Sequence, residues 1–234
     1  MSRVHEVMPA IMPYSYEDFK QKVEAVAKYV SWAQVDIMDG IFVDPVSWPY
    51  RAEDFVPFRK MVEEKEMLPY LDILKYEVDI MTEHPEDEIP KWYTLGARRF
   101  LVHFESIDDI DVLEHIILRY RRHGKSEVGI ALGAQTPVES IEPIIKELDC
   151  IQLMGIKRIG YQGEAFDEDV IERIKRLREM RKDCIISVDG GVSLETAPQL
   201  LVAGVDRLVS GSGIFNAKDI PQAIQNFKQI PHNT

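Results

Sequence analysis

The chain has 234 residues, with Lys+Arg of 28 against Asp+Glu of 40 and a net charge of −12. That balance disfavours nucleic acid and anionic membrane surfaces as partners, because both are held by clustered positive charge. Only two cysteines occur, Cys150 and Cys184, which excludes a disulfide framework, and no apolar run approaches the roughly 18 residues needed to cross a bilayer.

In chain order, Met1 to Pro9 lacks the apolar core of a signal peptide, so a soluble cytoplasmic protein is expected. Eight strand-like apolar runs then follow: Val7 to Met12, Ala33 to Met38, Tyr76 to Met81, Phe100 to Phe104, Val128 to Leu132, Ile151 to Ile156, Ile185 to Val188 and Leu208 to Val209. Between and after them lie charged segments with helical periodicity: Tyr16 to Tyr29, Ala52 to Glu66, Pro85 to Leu95, Ile107 to Arg122, Pro137 to Leu148, Asp167 to Arg181, Leu194 to Ala203 and Ile220 to Phe227. Thr136-Pro137 with Glu139, and Ser193 before Leu194, supply helix-start signals. Eightfold alternation with short connections predicts an α/β fold, a closed (β/α)8 barrel occupying residues 1–234 as one domain.

Within this frame Gln34-Val35-Asp36-Ile37-Met38-Asp39-Gly40 places Gln34, Asp36 and Met38 on one face of the second strand, before a turn. An ionised carboxylate aimed into an apolar interior is costly unless it is paired, metal-bound or used in chemistry. Ile185 to Gly191 repeats the pattern with Asp189 ahead of two glycines. On the second and seventh strands of a barrel, Asp36 and Asp189 would face each other across the mouth, placed to move a proton from one side of a carbon to the other. Glycine turns after late strands, at Gly160 to Gly163, Gly190-Gly191 and Gly211-Ser212-Gly213, predict a phosphate held on backbone amides.

Val35-Asp36-Ile37-Met38-Asp39-Gly40-Ile41-Phe42-Val43 resembles the strand-two signature V-D-x-M-D-G-x-F-V of the ribulose-phosphate 3-epimerase family. Met81 to Glu86, Thr136 to Glu139, Val188 to Gly191 with Thr196-Ala197-Pro198, and Ala203 to Phe215 continue the likeness in order. The resemblance implies an isomerase of pentose-phosphate metabolism that inverts C3 of a ketopentose phosphate through an enediolate. By position it makes Asp36 and Asp189 the acid/base carboxylates, Met38, Met81 and Met154 the shield around the intermediate, and Gly163, Gly190, Gly191, Gly211 and Ser212 the phosphate cradle.

Departures from the family pattern are concentrated at its metal site. The family binds a divalent metal with two histidines and the two aspartates, whereas this chain has Gln34 and Asp79 at the histidine positions. Ala10 stands for a serine near the substrate, and Lys157 to Glu164 replaces the loop N-P-G-F-G-G-Q with one residue more and a more basic start. The expected ligand set is therefore all oxygen, Asp36, Asp79, Asp189 and Gln34, suited to Mg, Mn or Ca rather than to Zn or Fe. With no metal, Lys157 or Arg158 could stabilise the enediolate instead. The other open readings are an epimerase or isomerase of a different sugar phosphate and an inactive phosphosugar-binding barrel. The D-x-K-x-x-D motif of related decarboxylases and aldolases is missing, since Lys75 follows Asp72 by three residues.

Among the remaining residues, His103 and Glu105 are read as a buried histidine with a neighbouring acid, the alternative being a metal pair. His5, His84, His115, His123 and His232 are read as surface or loop residues. Cys150 and Cys184 are read as small buried residues, with neighbouring strands able to bring the thiols close. A small phosphorylated sugar is the expected partner. A homo-oligomer, dimer or higher, is also expected, with Trp32 and Trp48 closing the mouth or forming a subunit contact.

Overall fold

A computed structural model describes residues 5–121 and 126–231. The strands are β1 (Glu6–Ile11), β2 (Trp32–Met38), β3 (Lys75–Met81), β4 (Arg99–His103), β5 (Glu127–Leu132), β6 (Cys150–Met154), β7 (Ile185–Asp189) and β8 (Arg207–Ser210). All pair in parallel, in sequence order, and β8 closes on β1. The predicted (β/α)8 barrel is thus the observed architecture. Its helices are α1 (Tyr16–Val26), α2 (Phe55–Glu64), α3 (Pro85–Leu95), α4 (Ile110–Arg121), α5 (Val170–Met180), α6 (Ala197–Ala203), α7 (Ser212–Phe215) and α8 (Ile220–Lys228).

Alternation along each strand sorts the residues into two shells. Val35, Ile37, Val78, Ile80, Ile130 and Leu153 point outward and join the helices in the main apolar core. The inward positions carry a separate, small apolar cluster of Met8, Ala10 and Val209. Much of the rest of the lumen is polar: Gln34, Asp36, Glu77, Asp79, Arg99, Gln152, Ser187 and Asp189 are all buried. Branched apolar residues normally fill a barrel of this kind, so this interior is arranged for something other than packing.

The end of the lumen nearest the strand starts is closed by Arg99. Its guanidinium lies 3.7 Å from the centroid of the Trp32 ring, 3.1 Å from Glu77 Oε2 and 2.6 Å from Glu127 Oε2. Arg207 and Glu6, 3.0 Å apart, extend the network. Trp32 therefore lies at the rim opposite the mouth. Trp48 is buried in an aromatic cluster with Tyr16, Phe19, Phe58 and Trp92, which removes it from both roles expected of it.

One predicted helix is absent. Pro137 to Leu148 forms a short 3₁₀ helix, Val138–Ile141, followed by turns. Hydrogen bonds from Ser140 N to Pro137 O, Glu142 N to Glu139 O and Ile144 N to Ile141 O each span three residues. Val138, Ile141 and Ile144 are buried at the three-residue spacing of these turns, and Ile145 and Leu148 are buried as well, completing the spacing that had suggested a helix. Thr136 does not cap this segment, since its hydroxyl donates to Glu105 instead. Ser193 Oγ accepts from Glu195 N and Thr196 N at 3.2 Å, but this forms a turn ahead of the helix: α6 starts at Ala197, three residues later than expected, with Thr196 as its N-cap.

Boundaries elsewhere shift by a few residues. β1 ends at Ile11, β4 at His103 and β6 at Met154, while α1, α2, α4 and α5 are shorter than their periodic segments. His5 is buried with Nε2 2.9 Å from Phe227 O, contrary to its surface reading. His84 and His115 are exposed as expected, and His123 and His232 lie outside the described residues. Cys150, in β6, and Cys184, just ahead of the adjacent β7, are buried free thiols. No helix among the described residues is long and apolar enough to cross a membrane.

Candidate active site

The register places Asp36 beside Asp79 and Met154 beside Asp189. All three aspartates are buried, at 4%, 0% and 9% exposure, and one oxygen of each can be chosen so that all lie within 4.8 Å of one another. Gln34, on the inward face one turn of the pleat below Asp36, reaches up between them. Its Nε2 donates to Asp36 Oδ1 at 2.8 Å and to Asp189 Oδ2 at 2.9 Å. The two carboxylates singled out in the sequence are thus tied to one amide. Burial first, and then the neighbouring carboxylates, push the Asp36 carboxyl well above its ordinary range. The same causes raise Asp189 to about 7, against the pull of Gln34 and the Gly190 backbone.

Asp79 has a different environment. His103 Nε2 lies 3.1 Å from its Oδ1, and Gln152 Nε2 donates to its Oδ2 at 3.2 Å. Burial works against an imidazolium here. The Asp79 carboxylate outweighs it and, with Glu105 behind the ring at 3.8 Å, raises His103 to about 10. The partner of His103 is therefore an acid on the adjacent strand, nearer than Glu105. Glu105 itself sits past the strand end, accepting from Gly133 N at 2.8 Å. The expected buried histidine beside an acid is therefore present, with Asp79 the nearer of its two carboxylates.

The residues fit a hard divalent cation. Three buried carboxylates converge, and Gln34 Oε1 and Gln152 Oε1 are buried without hydrogen-bond partners. As placed, the Gln34 amide turns its donor, Nε2, toward Asp36 and Asp189. A half-turn of that amide exchanges its donor for its acceptor. Gln152, in the apolar run Cys150 to Met154, was missed in the sequence although a lone amide in a buried strand was a readable signal.

Asp36 and Asp189 open into a cleft that also holds Ala10, Met81 and Met154. Gly163, Gly190, Gly191, Gly211 and Ser212 line its far end, so the expected cradle residues are together. Gly190 and Gly191 have φ of +91° and +66°, and a Cβ on either would collide with Ile156 or Phe166. Only glycine lets that turn form. Met38 is buried but lies behind Gly160 and off the cleft wall. Lys157 and Arg158 are also outside it. Arg158 bonds Glu164 at 2.6 Å and stacks on Tyr161, which keeps its charge on the outer side of the loop. The inner side presents Tyr161 and Gln162, which the sequence reading passed over.

Comparison with known proteins agrees with this geometry. The sequence profile of the Ribulose-phosphate 3 epimerase family matches residues 6–215. The chain is 29% identical over 229 residues to ribulose-phosphate 3-epimerase of Bacillus subtilis (strain 168), covering 95% of this chain and 98% of that protein. It is 31% identical over 199 residues to the Aquifex aeolicus (strain VF5) protein of the same name, covering 83% and 82%. Among solved structures, 3-hexulose-6-phosphate synthase from Salmonella typhimurium superposes with a TM-score of 0.66 at 18% identity, covering 97% of this chain and all of that one. KGPDC from Streptococcus mutans gives 0.65 at 16%, covering 96% of each chain; both likenesses speak for the fold alone. On the sequence match over nearly its whole length, this chain belongs to the ribulose-phosphate 3-epimerase family.

Proposed function

We propose that this protein is a carbohydrate-phosphate epimerase that inverts C3 of a ketopentose phosphate, with Asp36 and Asp189 as its acid/base pair. The observation that carries the reading is the pair itself: two buried carboxylates from opposite walls, joined by one amide, opening on a cleft that ends in glycine turns. Burial and mutual repulsion favour a state in which one carboxyl keeps its proton while the other is ionised. The ionised one removes the proton from C3, and the C–H electron pair becomes the C2–C3 double bond as the C2 carbonyl oxygen takes the negative charge. The protonated one then delivers its proton to C3 from the opposite face, and the two carboxyls end with their protonation exchanged.

The other residues have supporting roles. Met81 and Met154 wall the reacting carbon from water, and backbone amides at Gly163, Gly190, Gly191, Gly211 and Ser212 seat the phosphate. Asp36, Asp79, Asp189 and the Gln34 carbonyl would hold magnesium, manganese or calcium, which when bound supplies positive charge to the enediolate oxygens. The altered ligand set also supports a second substrate reading, a different ketose phosphate on the same cradle.

The test is an assay on ribulose 5-phosphate and on ketohexose phosphates, with and without manganese, following solvent deuterium into C3. Exchange that disappears in Asp36→Asn and Asp189→Asn is expected. Binding of sugar phosphate without exchange under any condition would overturn the catalytic reading in favour of a non-catalytic barrel.

A further inference from the structure

The segment after β6 spans the mouth. At one side Gly160 lies against Met38, Val43 and Pro45, where an added Cβ would fall 3.3 Å from each, and Tyr161 Oη is 3.4 Å from Asp44 Oδ2. At the other side Gln162 rests on Gly211, its Nε2 only 2.6 Å from where a Cβ would stand. The Gln162 amide therefore fills the space that glycine leaves, at the cradle end of the cleft. Gln162 itself is exposed, so its amide is open to whatever enters the cleft. No Lys or Arg side chain lines this cleft, and the chain as a whole carries −12. An anionic group seated there has backbone N–H groups and one neutral side-chain donor close by.

We propose that Gln162 is a binding residue for the anionic group of the substrate, its amide donating alongside the glycine-turn backbone. This deepens the function proposed above and rests on its assignment of the cradle to phosphate. A primary amide offers two N–H donors and no charge, so it recognises phosphate oxygens without neutralising them. Where the family loop reads G-F-G-G-Q, this chain has Gly160-Tyr161-Gln162-Gly163-Glu164, so the side chain is its own addition. Recognition by neutral donors also makes anion affinity only weakly dependent on ionic strength.

Calorimetric titration of the full-length protein with inorganic phosphate tests this, using Gln162→Ala and Gln162→Glu, with thermal melts confirming that each folds. A hydrogen bond to a charged group is lost in the alanine variant, which should bind phosphate roughly tenfold more weakly. Glutamate matches glutamine in shape but turns a donor into a negative acceptor, so it should bind more weakly still. With the ketose phosphate, Gln162→Ala should raise KM and leave kcat within about threefold. If glutamate binds phosphate as the parent does while alanine does not, the side chain is a roof filler and the proposal fails. Equal affinity in all three also overturns it, while the cradle assignment stands. If the parent itself binds neither phosphate nor sugar phosphate, the cradle assignment fails and Gln162 with it.

Discussion

Asp189 and His103 are buried titratable groups shifted in opposite senses relative to their charge, and each shift predicts a stability profile. Asp189 titrates near 7 in the folded chain against about 3.9 when unfolded, so between those values the native state binds the extra proton. Its contribution is most favourable below about pH 4 and is lost as pH rises through 7. Chelator-treated Asp189→Asn should therefore melt higher than the parent at pH 8, by roughly 4 °C or more, with little difference at pH 4. The same substitution should lower exchange at C3 at least a hundredfold, about the scale of an acid/base group. For His103, raised to about 10, the stabilisation is present below the unfolded value near 6.5 and lost as pH rises through 10. His103→Leu leaves the Asp79 carboxylate buried without its cation and should cost about 3 kcal/mol in urea unfolding at pH 7.

These residues were unequally legible. Asp36 and Asp189 could be read because a carboxylate at the end of an apolar strand stands out locally. The contact of His103 with Asp79 joins two strands, and the inward turn of Gln162 depends on a loop leaning on distant segments, so neither leaves a local trace.

At the level of elements, α5 carries more than its periodic pattern announces. Arg173 bonds the carbonyls of Gly133 at 2.7 Å and Thr136 at 3.2 Å, tying α5 to the loop that follows β5. Arg178 and Arg181 take up carbonyls of Gly204, Cys184, Ile145 and Leu148. Free carbonyls left by the turns after Val138–Ile141 are thereby satisfied from outside the segment. The strands were readable because both of their faces are buried and their apolar runs are short and dense. The missing helix was not, because Val138, Ile141, Ile145 and Leu148 keep the apolar spacing of an α-helix while the backbone there runs as a 3₁₀ turn and further turns. Arg173→Leu removes several charge-assisted bonds at once and should cost about 3 kcal/mol by urea unfolding. It should also loosen the mouth, seen as faster amide exchange in residues 133–136.

For the whole molecule, an acidic barrel with a converging acid triad predicts cation uptake. Manganese titration of metal-free protein, followed by electron paramagnetic resonance, should show one site tighter than millimolar that Asp79→Asn weakens at least tenfold. Magnesium and calcium should compete at that site, and zinc should show no preference for it. The fold was legible from alternation alone because eight repeats leave few alternatives to closure. The polar lumen was not, since inward residues such as Glu77, Arg99 and Gln152 are scattered one or two to a strand and read singly as exceptions.

The Arg99 cluster fills the strand-start end of the lumen, and among the described residues the cleft at the strand ends is the opening onto the aspartates. On the proposed two-carboxylate mechanism, sugar and product sharing that opening would make a seated substrate a stopper: a hydrogen lifted from carbon should stay aboard its carboxyl until the product departs, and isotope washout into the medium should keep step with product release.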